Sequence, residues 1–392
     1  MKKIGILFGQ EDSFPQAFVD RVNQKAEKGI SAEFVRLDKV MQAEPLDYAV
    51  IIDRISQDVP YYRAALKNAA ICGTAVINNP FWWSADEKFF NNALAVKIGV
   101  PVPKTVILPS KELPDDTTNK SFRNLAYPLD WNGIFSYVSF PAYMKPFDGG
   151  GWKEVYKIEN EKDFFSKYDK TKQHVMMLQE EVVFDDYFRC YCIGGKHVRI
   201  MQYEPRNPHH LRYEHGKAPA AKKLLDTIKD YVIKLNQYLG YDFNTVEFAV
   251  RDGIPYAIDF CNPAPDAEVT SVGQENFEWV VETAASYAIE RAKQQKDGFD
   301  NLTWGEFVKT SAAKIPLVAA AKKVAVKADV SVAVVDHAIE AEGKVKKLKA
   351  TKAPAAKAVP AAKAAVVKEP VAKVAAVKEP TVKEKAAPKP KK

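Results

Sequence analysis

Up to residue 104, short apolar segments alternate with segments of helical periodicity. The apolar segments predict strands at residues 4–8, 34–37, 48–52 and 75–77. The helical pattern predicts a helix that Ser13 caps and Gly29 ends, and a second helix over residues 60–72. Such alternation is typical of βαβ units around a parallel sheet, so the sequence predicts an α/β, Rossmann-like N-terminal domain. Gly5 and Gly9 do not fit the G-x-G-x-x-G fingerprint, and we expect no dinucleotide site there.

After Gly99 the pattern becomes that of antiparallel hairpins separated by helices. Turn signals at Gly194-Gly195 and Asp252-Gly253 are each flanked by β-forming residues and predict two of these hairpins. Further periodic segments predict helices over residues 218–238 and 276–293. This part of the chain therefore has the pattern of a second domain that mixes strands and helices.

Residues 311–392 consist mainly of Ala, Lys, Val and Pro and contain no aromatic residue. We expect a disordered Lys/Ala/Pro-rich C-terminal tail, because such a segment cannot build a core and its prolines interrupt long helices. From Lys344 onward the chain carries 15 Lys and 3 Glu, a net +12, which leaves −5 for the remainder of a chain with a total of +7. A lysine array can bind nucleic acid or an acidic partner through counterion release, but a solvated appendage is the commoner case and the one we favour.

Composition and cysteine spacing indicate the cellular compartment. Hydrophobic residues make up 47% of the 392 residues, enough for more than one core. The N-terminal apolar run ends at residues 10–12, and no apolar run approaches the roughly 20 residues that a membrane span needs. The four cysteines lack C-x-x-C spacing and lie in apolar segments, which favours reduced thiols. We expect a cytoplasmic protein without a membrane anchor.

A lysine followed by a glycine cluster ends the predicted strand at residues 143–145. Lys145 precedes Gly149, Gly150 and Gly151 by a few residues. Glycines let backbone amides approach phosphate oxygens, and a lysine fixed on a strand adds a positive charge beside them. The segment is a candidate site for a nucleoside triphosphate; the alternative is a glycine-rich hairpin with a solvated lysine.

A second group of side chains has the chemistry of magnesium ligands. Glu247 lies on one predicted strand, and Asp259 and Asn262 lie on the strand that returns from it. Carboxylate and amide oxygens suit Mg²⁺, which also holds phosphate oxygens. A two-residue turn at Asp252-Gly253 would put Asn262 on the face of Glu247 and Asp259 on the other face, whereas a three-residue turn would reverse this.

Two further segments carry weaker signals. A strand that ends near Gln179 could offer backbone groups to a purine, with an acid nearby for ribose hydroxyls. Arg206 and Arg212 flank a basic segment, and arginine suits phosphate because its planar fork can hold two oxygens; the alternative is a solvated loop. The aromatic cluster Phe81-Trp82-Trp83 could be a substrate platform, but we favour a core role for it at a subdomain junction. We do not favour a metal pair at His209-His210, because adjacent histidines rarely converge without a third ligand.

In order and spacing, these motifs resemble the ATP-grasp superfamily, in particular carboxylate–amine and carboxylate–thiol ligases such as glutathione synthetase, ribosomal-protein glutamate ligase and D-Ala-D-Ala ligase. The resemblance extends to about residue 305 and includes the motifs Ile77-Asn78-Asn79-Pro80, Asp86-Glu87-Lys88 and residues 99–105. It implies a Rossmann-like domain at residues 1–104 and an ATP-grasp domain at 105–305. The lid of that domain would span about 106–178 and its C-terminal subdomain about 179–305.

The resemblance also implies roles for single residues. Lys88 and Lys145 match the lysines that contact ATP phosphates, and Gly149 to Gly151 match the loop that closes over them. The other matches are the adenine hinge at Gln179, Glu180, Glu181 and Val182, the ribose-binding acid at Asp186, and the metal ligands Glu247 and Asn262, with Asp259 as an alternative ligand. Arg206 or Arg212 would stabilise the transferring phosphate.

The implied cofactors are ATP and Mg²⁺, and the implied enzyme is an ADP-forming ligase. It would convert the carboxylate of a small molecule or peptide to an acyl phosphate, which an amine or thiol then attacks. Two departures stand out: Phe260 replaces the acid of the usual Glu-x-Asn motif, and Arg189 lies one residue further from its acid than is common. The alternatives are a small-molecule kinase and a non-catalytic nucleotide-binding module with a basic tail.

Overall fold

The computed structural model describes residues 1–81, 87–148, 153–208, 211–213 and 220–296. In these residues, three four-stranded sheets are formed by successive parts of the chain. The predicted glycine cluster, Trp82-Trp83, His209-His210 and the basic tail all lie outside the described residues.

The first sheet is parallel throughout and has the order β2-β1-β3-β4. Its strands are β1 (Lys2–Leu7), β2 (Ile30–Phe34), β3 (Val50–Asp53) and β4 (Ala75–Ile77), and its helices are α1 (Ser13–Gln24) and α2 (Pro60–Ile71). This is the predicted Rossmann-like arrangement. The strand predicted at residues 34–37 is wrong, because β2 pairs with Lys2 to Ile6 of β1 and must therefore begin at Ile30.

Helix α1 begins where predicted but is capped from another part of the chain. Glu268 accepts hydrogen bonds from the backbone N–H groups of Asp12 and Ser13, both at 3.0 Å, and from the Ser13 hydroxyl at 2.7 Å. The side chain of Ser13 therefore does not cap its own helix. The helix also ends at Gln24, before Gly29, because Ala26 already has a φ of 48°.

The second sheet is antiparallel and has the order β5-β8-β6-β7. Its strands are β5 (Thr105–Leu108), β6 (Ala142–Pro146), β7 (Tyr156–Ile158) and β8 (Met176–Glu180). Helix α3 (Lys88–Lys97) precedes it, and α4 (Trp131–Val138) and α5 (Glu161–Tyr168) pack on it through an aromatic cluster that includes Trp131, Phe135 and Phe164. We call this unit the lid sheet.

The third sheet is also antiparallel and has the order β10-β9-β11-β12. Its strands are β9 (Asp186–Ile193), β10 (His197–Gln202), β11 (Phe243–Arg251) and β12 (Ile254–Asp259), and its helices are α6 (Lys222–Leu239), α7 (Val269–Val272) and α8 (Gln274–Gln294). The β9–β10 turn has three residues, Gly194 to Lys196, rather than two. We call this unit the metal-ligand sheet, after the predicted role of Glu247.

The first sheet and the metal-ligand sheet share one hydrophobic core. Phe14 and Phe18 of α1 belong to the same buried cluster as Tyr191, Phe243 and Val280. Helix α6 covers the other face of the metal-ligand sheet, with Val232 and Leu235 fully buried. The four cysteines are free thiols, as expected. Among the described residues, no helix is both long enough and apolar enough to cross a membrane.

Candidate functional site

Glu247 and Asp259 lie directly opposite each other on neighbouring strands. The β11–β12 turn has two residues, with φ of 55° at Asp252 and 74° at Gly253, and by itself it would pair Glu247 with Ile258. A register shift beyond the Phe248 pair makes Ile258 a bulge and brings Asp259 opposite Glu247. The structure thus has the two-residue turn, which was expected to put Asp259 and Glu247 on opposite faces. It also has the two carboxylates on one face, as expected for a three-residue turn.

Glu247 is held by two side chains of β9. The Tyr187 hydroxyl donates to Oε2 of Glu247 at 2.7 Å, and Nη1 of Arg189, which is opposite Glu247 in the ladder, lies 3.5 Å from Oε1. Burial raises the pKa of Glu247, and the nearby Asp259 adds to this, while Arg189 and Tyr187 oppose it. The net pKa is above its ordinary value. A bound cation would therefore stabilise the ionised form of Glu247 more than it would stabilise an exposed carboxylate.

Asp259 is paired with the lysine that begins α3. Nζ of Lys88 lies 3.2 Å from Oδ1 of Asp259, and the Lys88 backbone N–H donates to the carbonyl of Phe147 at 2.7 Å, just beyond β6. Burial alone would raise the pKa of Asp259, but the ammonium groups of Lys88 and Lys145 outweigh it and hold this pKa below its ordinary value. Asp259 is thus an ionised ligand candidate.

Lys145 extends from β6 of the lid sheet toward the same carboxylates. Its Nζ donates to Oε1 of Gln179 at 2.9 Å, and Nε2 of Gln179 donates to the Thr105 hydroxyl at 2.8 Å. Burial and the charge of Lys88 lower the pKa of Lys145 to about 8, although Asp259 and Glu247 act in the opposite direction. We refer to Lys88, Lys145, Glu247 and Asp259 as the charge cluster.

Asn262 is held against β11 by two hydrogen bonds. Its backbone N–H donates to Oδ1 of Asn244 at 2.7 Å, and its Nδ2 donates to the carbonyl of Thr245 at 3.3 Å. The second bond reaches the backbone of Thr245, two residues before Glu247 on β11. Because Nδ2 is already used, any ligand role of Asn262 falls to Oδ1.

The donor set fits magnesium. Within the described residues there is no group of three or more His, Cys, Asp or Glu that could hold a metal ion by itself. Mg²⁺ typically uses one or two carboxylates, keeps several waters and takes its other ligands from substrate phosphates. Two adjacent carboxylates and one amide oxygen, with lysines nearby for phosphate, match that requirement.

The side chains of the predicted adenine hinge serve mainly to join strands. Glu180 accepts from Nη2 of Arg251 at 3.3 Å, and Glu181 pairs with Nζ of Lys157 at 3.1 Å. Val182 is buried, with 9% of its surface exposed, and Asp186 begins β9 opposite Val250. Hydrogen bonds to a purine would therefore come from backbone groups at this point, which stays a prediction.

The two predicted arginines differ in their surroundings. Arg206 forms a two-point pair with Glu204, at 2.6 and 2.5 Å, lies over the ring of Phe184 and has 68% of its side chain exposed. Arg212 instead donates to the Tyr203 hydroxyl at 3.3 Å, and its charge lowers the pKa of Glu247. Arg212 therefore acts on the charge cluster electrostatically.

The sequence did not point to Tyr187 as a site residue, and it pointed to Arg189 only as a departure from the family pattern. They are two positions apart on β9, so their side chains are on one face, and both contact Glu247. That spacing is visible in the sequence. Their common partner is not, because the pairing of β9 with β11 spans more than fifty residues of chain.

No protein-family model matches the chain, and no curated protein matches it. Solved structures do match it. The D-alanine–D-alanine ligase from Bacillus anthracis is 14% identical to this chain, with a TM-score of 0.51, and the match covers 75% of this chain and 98% of the ligase. The same ligase complexed with ATP matches with 14% identity and a TM-score of 0.50, over the same fractions of the two chains. The ATP-grasp ligase PsnB complexed with a minimal precursor is 15% identical with a TM-score of 0.53, covering 74% and 99%. The VanG D-Ala:D-Ser ligase from Enterococcus faecalis is 10% identical with a TM-score of 0.53, also over 74% and 99%. At these identities the likeness establishes the fold.

Proposed function

Because the chain has the ATP-grasp fold, we propose that it is an ATP- and Mg²⁺-dependent, ADP-forming ligase that activates a substrate carboxylate for attack by an amine or thiol. ATP would lie between the lid sheet and the metal-ligand sheet. The three proteins whose solved structures are described above are ligases, and one of them was also solved with ATP. Their similarity in fold supports this reaction class, and the chemistry of the charge cluster supports it independently.

The observation that carries the proposal is the bulge at Ile258, which places the carboxylates of Glu247 and Asp259 side by side. Lys88 pairs with Asp259 at the same point. A bulge disrupts the ladder and leaves one residue unpaired, and bulges next to active sites re-aim a side chain or end the pairing. Here the redirected side chain is Asp259, which would otherwise be on the face opposite to Glu247. Repulsion between the two carboxylates is offset by Lys88, Lys145 and Arg189.

The lysines are suited to bind and orient the phosphates of ATP. The ammonium group of Lys145 contacts Gln179 and that of Lys88 contacts Asp259, so both are held in place before ATP binds. Positive charges that are already in position stabilise charge that develops on a transferring phosphoryl group without a reorganisation cost. Magnesium, when held by Glu247, Asp259 and Asn262, would supply additional positive charge at the same phosphates.

In the proposed reaction, a carboxylate oxygen of the substrate attacks the γ-phosphorus, and the bond to the β,γ-bridging oxygen breaks to give an acyl phosphate and ADP. The amine or thiol of the second substrate then attacks the acyl carbon, loses a proton and displaces inorganic phosphate. Arg212, whose charge reaches Glu247, is suited to stabilise the phosphoryl oxygens in both steps. No covalent bond to the protein is required.

The first experiment measures the thermal unfolding midpoint of the full chain with ATP, with MgCl₂ and with both. A ligand that binds only the folded state raises the midpoint. We expect a rise that requires both ATP and magnesium and that is lost in Lys145→Met. Lys157→Met is the matched control, because Lys157 lies on the neighbouring strand β7 and pairs with Glu181 outside the charge cluster.

The second experiment identifies the products when carboxylates are supplied with amines or thiols. ADP with inorganic phosphate and a new amide or thioester supports the ligase. ADP with a stable phosphate ester would replace it with a small-molecule kinase, and Mg-ATP binding without turnover would favour a nucleotide-binding module. The absence of any midpoint rise at millimolar Mg-ATP would overturn the proposal.

A further inference from the structure

A cavity of about 320 Å³ lies far from the charge cluster, between the end of β4, the β9–β10 turn, the C-terminus of α6 and helix α8. Its lining includes Asn79, Gly194, Gly240, Asp242 and Arg291. Gly194 follows Arg189 by five residues along β9, which at about 3.3 Å per residue separates the cavity from Glu247 by roughly 17 Å. It shares no lining residue with the charge cluster.

Asp242 is held rigidly at the wall of this cavity. Its backbone N–H donates to Oδ1 of Asn78 at 2.8 Å, its carbonyl accepts from the N–H of Gly194 at 2.7 Å, and its Oδ1 accepts from the Tyr287 hydroxyl at 2.6 Å. Burial raises the pKa of this carboxyl group, and Tyr287 and Arg291 only partly offset the effect. The Asp242 carboxylate thus has a fixed position, and its neighbours only partly offset the cost of burying its negative charge.

Arg291 supplies the opposite charge. Its Nη1 donates to Oε1 of Gln294 at 3.3 Å, but its buried Nε has no hydrogen-bond partner among the residues that the structure describes. Arg291 and Asp242 influence each other electrostatically without forming a salt bridge in the described part of the chain. A buried guanidinium nitrogen without an acceptor is costly, so the structure would gain from a ligand that supplies one.

The glycine at the turn keeps the wall of the cavity in this form. Gly194 has a φ of +64°, and a Cβ atom at this position would lie 2.8 Å from the ring of Tyr287, the residue that donates to Asp242. The close approach of the turn to Tyr287 therefore requires glycine. The cavity wall and the Asp242 carboxylate depend on the same contact.

We propose that this cavity is a second binding site, for a small zwitterion such as a free α-amino acid. The ligand's carboxylate would pair with Arg291 and its ammonium group with Asp242. A ligand with only one charge would leave the other protein charge without a partner. The volume is at the lower end of the roughly 300–1,000 Å³ of ligand pockets, which suits an amino acid and is too small for a nucleotide to bury.

The test is calorimetric titration of the full-length protein with each standard amino acid, and with acetate and methylammonium as singly charged probes. We expect saturable binding of at least one amino acid, about tenfold or more tighter than either singly charged probe. Arg291→Gln and Asp242→Asn are each expected to weaken it by about tenfold or more. The matched control is Lys293→Gln, on the same turn of α8, where the exposed lysine pairs with Glu27 and should leave the affinity unchanged.

The midpoint rise with Mg-ATP, measured on each variant, reports whether it is folded and separates this site from the proposed ATP site. If Asp242→Asn fails to fold, Arg291→Gln decides, because Arg291 lies in the last turn of α8. The proposal is overturned if no amino acid binds, or if Arg291→Gln binds as tightly as the unchanged protein. It is also overturned if Arg212→Gln abolishes binding while Arg291→Gln retains it, since the amino acid would then be a substrate in the catalytic site.

Discussion

Asp259 faces Glu247 across two neighbouring strands only because Ile258 bulges out of β12. The two-residue turn that joins these strands would otherwise put Asp259 on the opposite face. The relationship has a direct consequence for Asn262 as well. Its backbone N–H donates to Asn244 and its Nδ2 donates to the carbonyl of Thr245, so the segment after the bulge stays bonded to β11.

Asp259→Asn is expected to abolish most of the magnesium-dependent rise in unfolding midpoint with ATP, because it removes one of two adjacent carboxylates. The midpoint without ligand should change little, since 39% of the Asp259 side chain is exposed and exposed ion pairs contribute little to stability. Asp252→Asn on the same hairpin is the control. A full Mg-ATP response in Asp259→Asn would exclude Asp259 as a metal ligand.

Lys145→Met is expected to stabilise the free protein while abolishing Mg-ATP binding. The pKa of Lys145 is about 8 in the folded chain, below the ordinary 10.5, so the unfolded state holds this proton more tightly. Below about pH 8 the folded state bears the full cost of the buried charge, and this cost is lost as the pH rises from about 8 to 10.5. The variant should therefore gain on the order of 2 kcal/mol of unfolding free energy near pH 7 and less near pH 10.

Denaturant unfolding at several pH values measures this difference. Lys157→Met should show no such gain, because Lys157 is exposed and its pKa is raised by Glu181. A gain in Lys145→Met that stays constant between about pH 7 and pH 10 would contradict a lowered pKa of Lys145.

Arg212→Gln should reduce ADP formation by about tenfold or more, whereas Arg206→Gln should change it by less than about threefold. The reason is that the charge of Arg212 reaches Glu247, while Arg206 is paired with Glu204 at an exposed position. Steady-state rates at saturating Mg-ATP give the comparison. Equal losses in both variants would show that the exposed pair takes part in the reaction.

Asn78→Ala should lower the unfolding free energy by roughly 2–4 kcal/mol. The Asn78 amide makes four hydrogen bonds across the boundary between the first sheet and the metal-ligand sheet: Nδ2 donates to the carbonyls of Phe243 and Pro263, and Oδ1 accepts from the N–H groups of Asp242 and Phe243. Alanine leaves buried backbone groups without partners. Gln57→Ala, at an exposed amide, is the control for denaturant unfolding, and an equally small loss in both variants would mean that water replaces these bonds.

Residue type and periodicity predicted a large part of the architecture. Three of the four parallel strands of the first sheet, the hairpin at Asp252-Gly253 and helices α2, α6 and α8 appear near their predicted positions, because local patterns of apolar residues and turn residues determine them. The strand predicted at residues 34–37 failed because β2 is positioned by its partner β1. Likewise, the cap of α1 comes from Glu268, which no local pattern around Ser13 could reveal.

The sequence by itself determined which chemical groups are available: the ammonium groups of Lys88 and Lys145, which we propose for phosphate, and the side-chain oxygens of Glu247, Asp259 and Asn262, which we propose for a metal ion. Side-chain chemistry is a property of single residues, so it can be recognised before the fold is known. The tertiary structure alone decided which of these groups meet. A bulge at Ile258 changes the face of Asp259, the last residue of β12. The position of the bulge depends on pairing between strands, and a short segment of sequence does not contain those non-local contacts.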